Sequence, residues 1–134
     1  MLLIFKLLKT NKTPMYQRKN VILDLSYQFS LEILKINDLL ENQKHFCIAN
    51  QVLRSGTSIG ANIREAQNAE SKSDFIHKFK LAAKEAEETE YWLSLINDSK
   101  KLKIDPIIFS KIKELKAIIN SIIASSKRDL KSNN

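Results

Sequence analysis

Two glycines and two prolines in 134 residues leave this chain few places to turn. In a helix interior glycine costs about 1 kcal/mol and proline about 3 kcal/mol relative to alanine, so a chain nearly free of both favours long helices. Leu, Ile, Lys, Glu and Ala dominate the remainder, and the length suits one domain with one modest core.

Apolar residues recur with helical spacing in four stretches. Over residues 19–41, Ile22, Leu25, Phe29, Ile33, Ile36 and Leu40 share a face, and Glu41-Asn-Gln-Lys44 makes a polar turn. A second helix over 45–69 buries Ile48, Val52, Ile59, Ile63 and Ala66, with Leu53 and Gly60 beside that stripe. Gly56 and Gly60 both fall inside it, so a neighbouring helix is expected to approach closely there. Ala82, Ala83 and Ala86 of the third helix are the expected neighbours. That third helix carries a heptad seam at Phe75, Phe79, Ala82, Ala86, Thr89, Leu93 and Ile96. Ser71 or Ser73 can cap it, and Asp74 places a carboxylate in its first turn. Asp105-Pro106 reads as an N-cap followed by proline at the first helical position. It opens a fourth helix with Ile108, Ile112, Leu115, Ile119 and Ile122 on one face, expected to fray near Ser125-Ser126.

Four such helices with short connections predict an all-α, antiparallel up-down-up-down four-helix bundle over residues 19–126. Residues 1–18 are expected to be a mobile arm or a misassigned start, with Met15 the alternative to Met1, and residues 127–134 a disordered basic tail. Ile76, Tyr91, Trp92, Ile118 and Ile123 fall off the main seams. They imply either self-association or extra packing inside the monomer.

The net charge of +7 is unevenly spread. Beyond residue 98, Lys100, Lys101, Lys103, Lys111, Lys113, Lys116, Lys127, Arg128 and Lys131 face only Asp105, Glu114 and Asp129. Lysines projecting from the fourth helix and its flanking loop predict a positive ridge suited to phosphates, giving salt-dependent and weakly sequence-specific binding of RNA or DNA. A lysine-rich solvated surface is the alternative. The run Met1–Lys9 is interrupted by Lys6 and lacks a cleavage site, so it does not read as a signal peptide. No stretch approaches a membrane span. Cys47, alone between Phe46 and Ile48, can form no intramolecular disulfide, which fits a reducing cytoplasm and a structural thiol.

Catalytic constellations are absent from the pattern. Gly56-Thr57-Ser58-Ile59-Gly60 matches the nucleophile-elbow spacing, but that motif needs a turn between strand and helix. Inside a helix, Ser58 should instead bond a carbonyl one turn back or a group across the interface. His45 and His77 lie on different helices without metal-ligand spacing, and Glu85, Glu87, Glu88 and Glu90 lack the Glu-x-x-His pattern of bundle di-iron sites. Neither a cofactor nor a metal is expected. Asn62 adjoins the apolar stripe and is expected to fix register or satisfy backbone groups, while Arg54, Arg64 and Glu65 can pair across the bundle.

Arg54-Ser55-x-x-Ser58-Ile59-x-x-Asn62-Ile63-x-Glu65-Ala66, followed by Ser71-x-x-Asp74-Phe75, resembles the bacterial four helix bundle protein family. That family includes proteins encoded in intervening sequences of large-subunit ribosomal RNA genes and the accessory variability determinant of diversity-generating retroelements. The resemblance covers residues 19–125. It implies a homopentameric barrel whose basic surface contacts nucleic acid, with a reverse transcriptase or a ribosomal component as possible protein partner. It transfers no catalytic residue and marks Arg54, Ser58, Asn62 and Glu65 as structural or interface positions, which Gly56 and Gly60 join on packing grounds. A tryptophan-containing aromatic segment at the start of helix one is missing here, and Arg64-Glu65-Ala66 replaces Ala-Glu-Gly, which points to a distinct branch. The resulting expectation is a non-enzymatic oligomeric bundle that binds nucleic acid as an accessory to a ribonucleoprotein or reverse-transcription complex. The alternative is a protein interaction or scaffolding module with no nucleic-acid role.

Overall fold

The computed structural model describes residues 15–133 and contains four helices: α1 (Met15–Asn42), α2 (Phe46–Ala66), α3 (Lys72–Asp98) and α4 (Pro106–Ser132). The α2 helix packs against α1 and α3, and α4 closes the ring between α3 and α1. This is the up-down-up-down bundle that the periodicity predicts, and no strand occurs among the described residues.

The seams bury as expected. Phe75, Phe79, Ala82, Ala86, Thr89, Leu93 and Ile96 on α3, and Ile108, Ile112, Leu115, Ile119 and Ile122 on α4, are all buried. Ile76 and Ile118 join them, so these two off-seam positions serve packing within the monomer. Leu25 and Ile48, expected in the core, are half-buried.

Local chemistry sets most helix ends. Ser71 Oγ accepts from Asp74 N at 3.0 Å, and Asp74 Oδ2 accepts from Glu70 N at 3.2 Å, locking the start of α3. Asp105 Oδ1 accepts from Ile107 N at 3.0 Å, with Pro106 at the first turn, and starts α4 as predicted. After α1, Lys44 N reaches Glu41 O at 2.8 Å and His45 N reaches Leu40 O at 2.9 Å. This Schellman-type closure puts Lys44 at φ 64°, where glycine is usual.

Three expectations are corrected. First, α1 starts at Met15, so residues 15–18 are helix rather than arm; residues 1–14 lie outside the described residues. Second, α4 does not fray at Ser125-Ser126: it runs to Ser132, and residues 127–132 of the expected disordered tail are helical. Arg18 lies four residues before Ile22 on the same stripe of α1 and is buried. Its guanidinium donates to Ser121 Oγ at 3.1 Å and Ser125 Oγ at 2.8 Å. These bonds, with the Lys72–Asp129 pair at 3.6 Å, outweigh the weak helix preference of the serines. Burial and the nearby Arg128 charge lower the Arg18 pKa. Third, the glycines face α1, not the α3 alanines. A Cβ on Gly56 would sit 2.7 Å from Ile33 Cγ1, and one on Gly60 would lie 3.4 Å from Ser26 O.

Candidate nucleic-acid interface

The α3–α4 loop builds the densest set of outward lysines. Ser99 caps α3 by donating its N–H to Leu95 O at 2.9 Å, and Lys100 follows at φ 61°. Asn97 Oδ1 then accepts from Ile104 N at 3.1 Å, tying the loop's far end back to α3. Between these anchors the side chains alternate. Leu102 is half-buried and Ile104 is buried against the core, so Lys101 and Lys103, with Lys100 before them, are exposed. None of the three makes an ion pair among the described residues, which leaves their charges available.

The remaining expected members do not form one continuous ridge. Lys113 and Lys127 share a face of α4 at a spacing of two heptads, but about 21 Å of helix separates them. Lys127 and Arg128 lie at the opposite end of the bundle from the loop, and Arg128 donates to Ser125 Oγ at 3.1 Å. Lys111 is half-buried. Lys116 is held between Glu87 Oε1 at 2.8 Å and Glu90 Oε1 at 3.4 Å, and its pKa is raised, first by the Glu87 hydrogen bond. Its charge is committed to bridging α3 and α4. The structure thus divides the basic residues into a loop cluster with Lys113 and a second group around the end of α4.

The second helix uses its signature residues to join α3. Arg54 pairs with Glu88 through Nη2 and with Glu85 at 3.6 Å through Nη1. Desolvation raises the Glu85 pKa, opposed by the Arg54 charge. Glu88 Oε1 also accepts from Trp92 Nε1 at 3.3 Å. Lower on the same face, Lys78 donates to Glu65 at 3.0 Å. Ser58 Oγ donates to Arg54 O at 2.6 Å, the bond one turn back expected for a helical serine. Asn62 donates to Ser58 O at 2.8 Å, so it satisfies its own helix rather than fixing register across the bundle. Arg64 makes no ion pair among the described residues and lines a small groove with Tyr27, Ser30 and Gly60.

Two buried polar links lie beyond the sequence reading. Asn37 donates to Ala49 O at 3.0 Å and joins α1 to α2; its place three residues before Leu40, beside Ile36, is the available signal. The hydroxyls of Thr89 and Ser55 are hydrogen-bonded at 2.9 Å in a fully buried pair between α2 and α3, with Thr89 donating to Glu85 O at 2.7 Å. Cys47, expected on an apolar face, is exposed: in the same first turn of α2 Ala49 is fully buried and Ile48 packs against the core, so Cys47 falls on the outer side of the helix. His45 is half-buried and His77 exposed, and no group of three metal-ligating side chains occurs among the described residues.

The model of the 23S rRNA-intervening sequence protein family matches residues 18–124. The chain belongs to that family. A crystal structure of a protein of unknown function, from the S23 ribosomal protein family of Bacteroides thetaiotaomicron, is 44% identical and superposes with a TM-score of 0.74. The alignment covers 76% of this chain and 97% of that one. Comparison with curated proteins gave no significant match. Neither the family description nor the structural relative names an enzyme. No described helix of this intervening-sequence family member is long and apolar enough to cross a membrane.

Proposed function

We propose that the chain is a non-enzymatic, self-associating bundle that grips the phosphate backbone of RNA or DNA, as a cytoplasmic accessory to a ribonucleoprotein or reverse-transcription complex. The observation that carries this reading is the α3–α4 loop. Its inward Leu102 and Ile104 force Lys100, Lys101 and Lys103 outward, with Lys113 on the adjoining helix and no carboxylate paired to any of them among the described residues. Such a cluster contacts phosphates without reading bases, so binding should be salt-sensitive and sequence-tolerant. Membership of a family described by ribosomal RNA intervening sequences supports RNA as the first nucleic acid to try.

Self-association is supported by an apolar stripe on the outside of α1. Tyr27, Leu31 and Leu34 recur at helical spacing and are 55%, 37% and 45% exposed. The assembly proposed is a pentamer, which light scattering would report as a mass near five times 15.4 kDa. The nucleic-acid reading is tested by fluorescence anisotropy with a labelled RNA at about 50 mM and about 200 mM salt. A steep loss of affinity with salt is expected. No binding at the lower salt would leave the bundle as a protein interaction module whose lysines only solvate it.

A further inference from the structure

An open groove of about 290 Å³ runs between α3 and α4, lined by Glu90, Ser94, Phe109, Ser110 and Lys113. The Lys116 pairs with Glu87 and Glu90 follow from the antiparallel register of these helices, which sets Ser94 and Glu90 level with Ser110 and Lys113. Phe109 packs against the core and also lines the groove, so the ring is held in place by its buried side. Lys116, shared between Glu87 and Glu90, offsets part of the Glu90 charge. Lys113 stands exposed at the rim, and the loop lysines lie toward the same end of the bundle. An immobilised ring with serine hydroxyls on both walls and unpaired lysines at the edge combines a stacking surface, short polar groups and phosphate anchors.

We infer that this groove takes a base of single-stranded nucleic acid, with Phe109 as the stacking surface and Lys113 and the loop lysines on the flanking phosphates. The inference rests on the nucleic-acid reading above and narrows it. A base inside a duplex is paired and stacked on its neighbours and cannot enter a cleft between two helices, whereas an unpaired base can turn into it. Stacking on an aromatic ring tolerates any base, which matches the absence of a base-reading motif. The lysines alone would favour a duplex at least as much as a single strand, because duplex charge density is higher. A preference for single strands therefore reports the groove and not the charge.

The experiment compares a labelled oligouridylate of about 16 nucleotides with an RNA duplex of equal length, using the full chain and two variants. Phe109→Leu keeps apolar volume and removes the ring; Ser94→Tyr fills the groove and leaves every lysine in place. The single strand should bind about tenfold tighter than the duplex. Each variant should lose about tenfold for the single strand, with duplex affinity and salt slope unchanged and the thermal midpoint close to that of the parent. Equal affinity for both probes, or wild-type single-strand affinity in both variants, overturns the groove assignment and leaves the lysine reading standing. Binding of neither probe at low salt overturns both.

Discussion

Gly56→Ala and Gly60→Ala differ by one methyl group each, in one helix and four residues apart, yet they should move stability in opposite directions. Alanine gains about 1 kcal/mol of helix propensity at either site. At position 56 the added Cβ would lie 2.7, 2.9 and 3.0 Å from three carbons of Ile33, which is fully buried and has no room to retreat. Overpacking of that kind costs about 1–3 kcal/mol, so the net change is a loss of about 1 kcal/mol. At position 60 the nearest atoms are 3.4 Å away, and two of the three are serine hydroxyls at the edge of a groove. A few tenths of an ångström of adjustment suffices there, and the propensity gain of about 0.5–1 kcal/mol survives. Urea unfolding followed by far-UV circular dichroism, at one fixed protein concentration, should separate the two midpoints by about 1 M. In a double-mutant cycle, Ile33→Ala should cost less in the Gly56→Ala background than in the wild-type chain, because truncating Ile33 also relieves the overlap. If Gly56→Ala stabilises the protein as much as Gly60→Ala does, the close approach of α1 and α2 is misjudged.

Lys44→Gly should stabilise the fold by about 1 kcal/mol, since Lys44 occupies a left-handed backbone position that costs a non-glycine residue about that much; thermal unfolding reads the change. Arg18→Ala should cost about 2 kcal/mol and lower amide-exchange protection over residues 121–132, because the hydroxyls of Ser121 and Ser125 lose their buried donor. Retained protection there would mean that α4 needs no such tether. Glu85→Gln tests the raised carboxyl pKa through pH. A carboxyl whose folded pKa exceeds its unfolded value favours the protonated folded state. Its contribution to stability therefore grows as pH falls through the raised pKa toward the ordinary value of 4.5, and is absent above it. The glutamine variant should lose that rise on acidification while remaining folded at neutral pH, as measured by chemical denaturation across pH.

How much of the molecule is legible in its sequence depends on the range of the interaction concerned. The α3 and α4 seams, the Asp105-Pro106 start and the Ser71 cap are local patterns, set by residues three or four apart, and the structure keeps them. The end of α4 is not legible in this way, because Ser125 and Ser126 look like a fraying signal in isolation. Arg18, more than a hundred residues away in sequence, turns Ser125 into a buried acceptor. The glycines do mark a close approach, but helix periodicity does not say which neighbour lies on a given face, and Ile33 rather than an alanine meets Gly56. For the candidate site, the lysines can be counted from the sequence but not sorted. Only the register of α3 against α4 withdraws Lys116 into an ion pair with Glu87. Only the length of α4 carries Lys127 and Arg128 away from the loop.

That sorting gives the most direct test of the functional proposal. Salt-dependent RNA binding should be measured for two charge-reversal variants, Lys100→Glu/Lys101→Glu/Lys103→Glu at the loop and Lys127→Glu/Arg128→Glu at the far end of α4. The loop variant should lose most of its affinity and show a shallower dependence of log affinity on log salt, by about one unit for each phosphate contact removed, while the far-end variant stays close to wild type. Undiminished binding and an unchanged salt slope in the loop variant would contradict the placement of the nucleic acid on the α3–α4 loop.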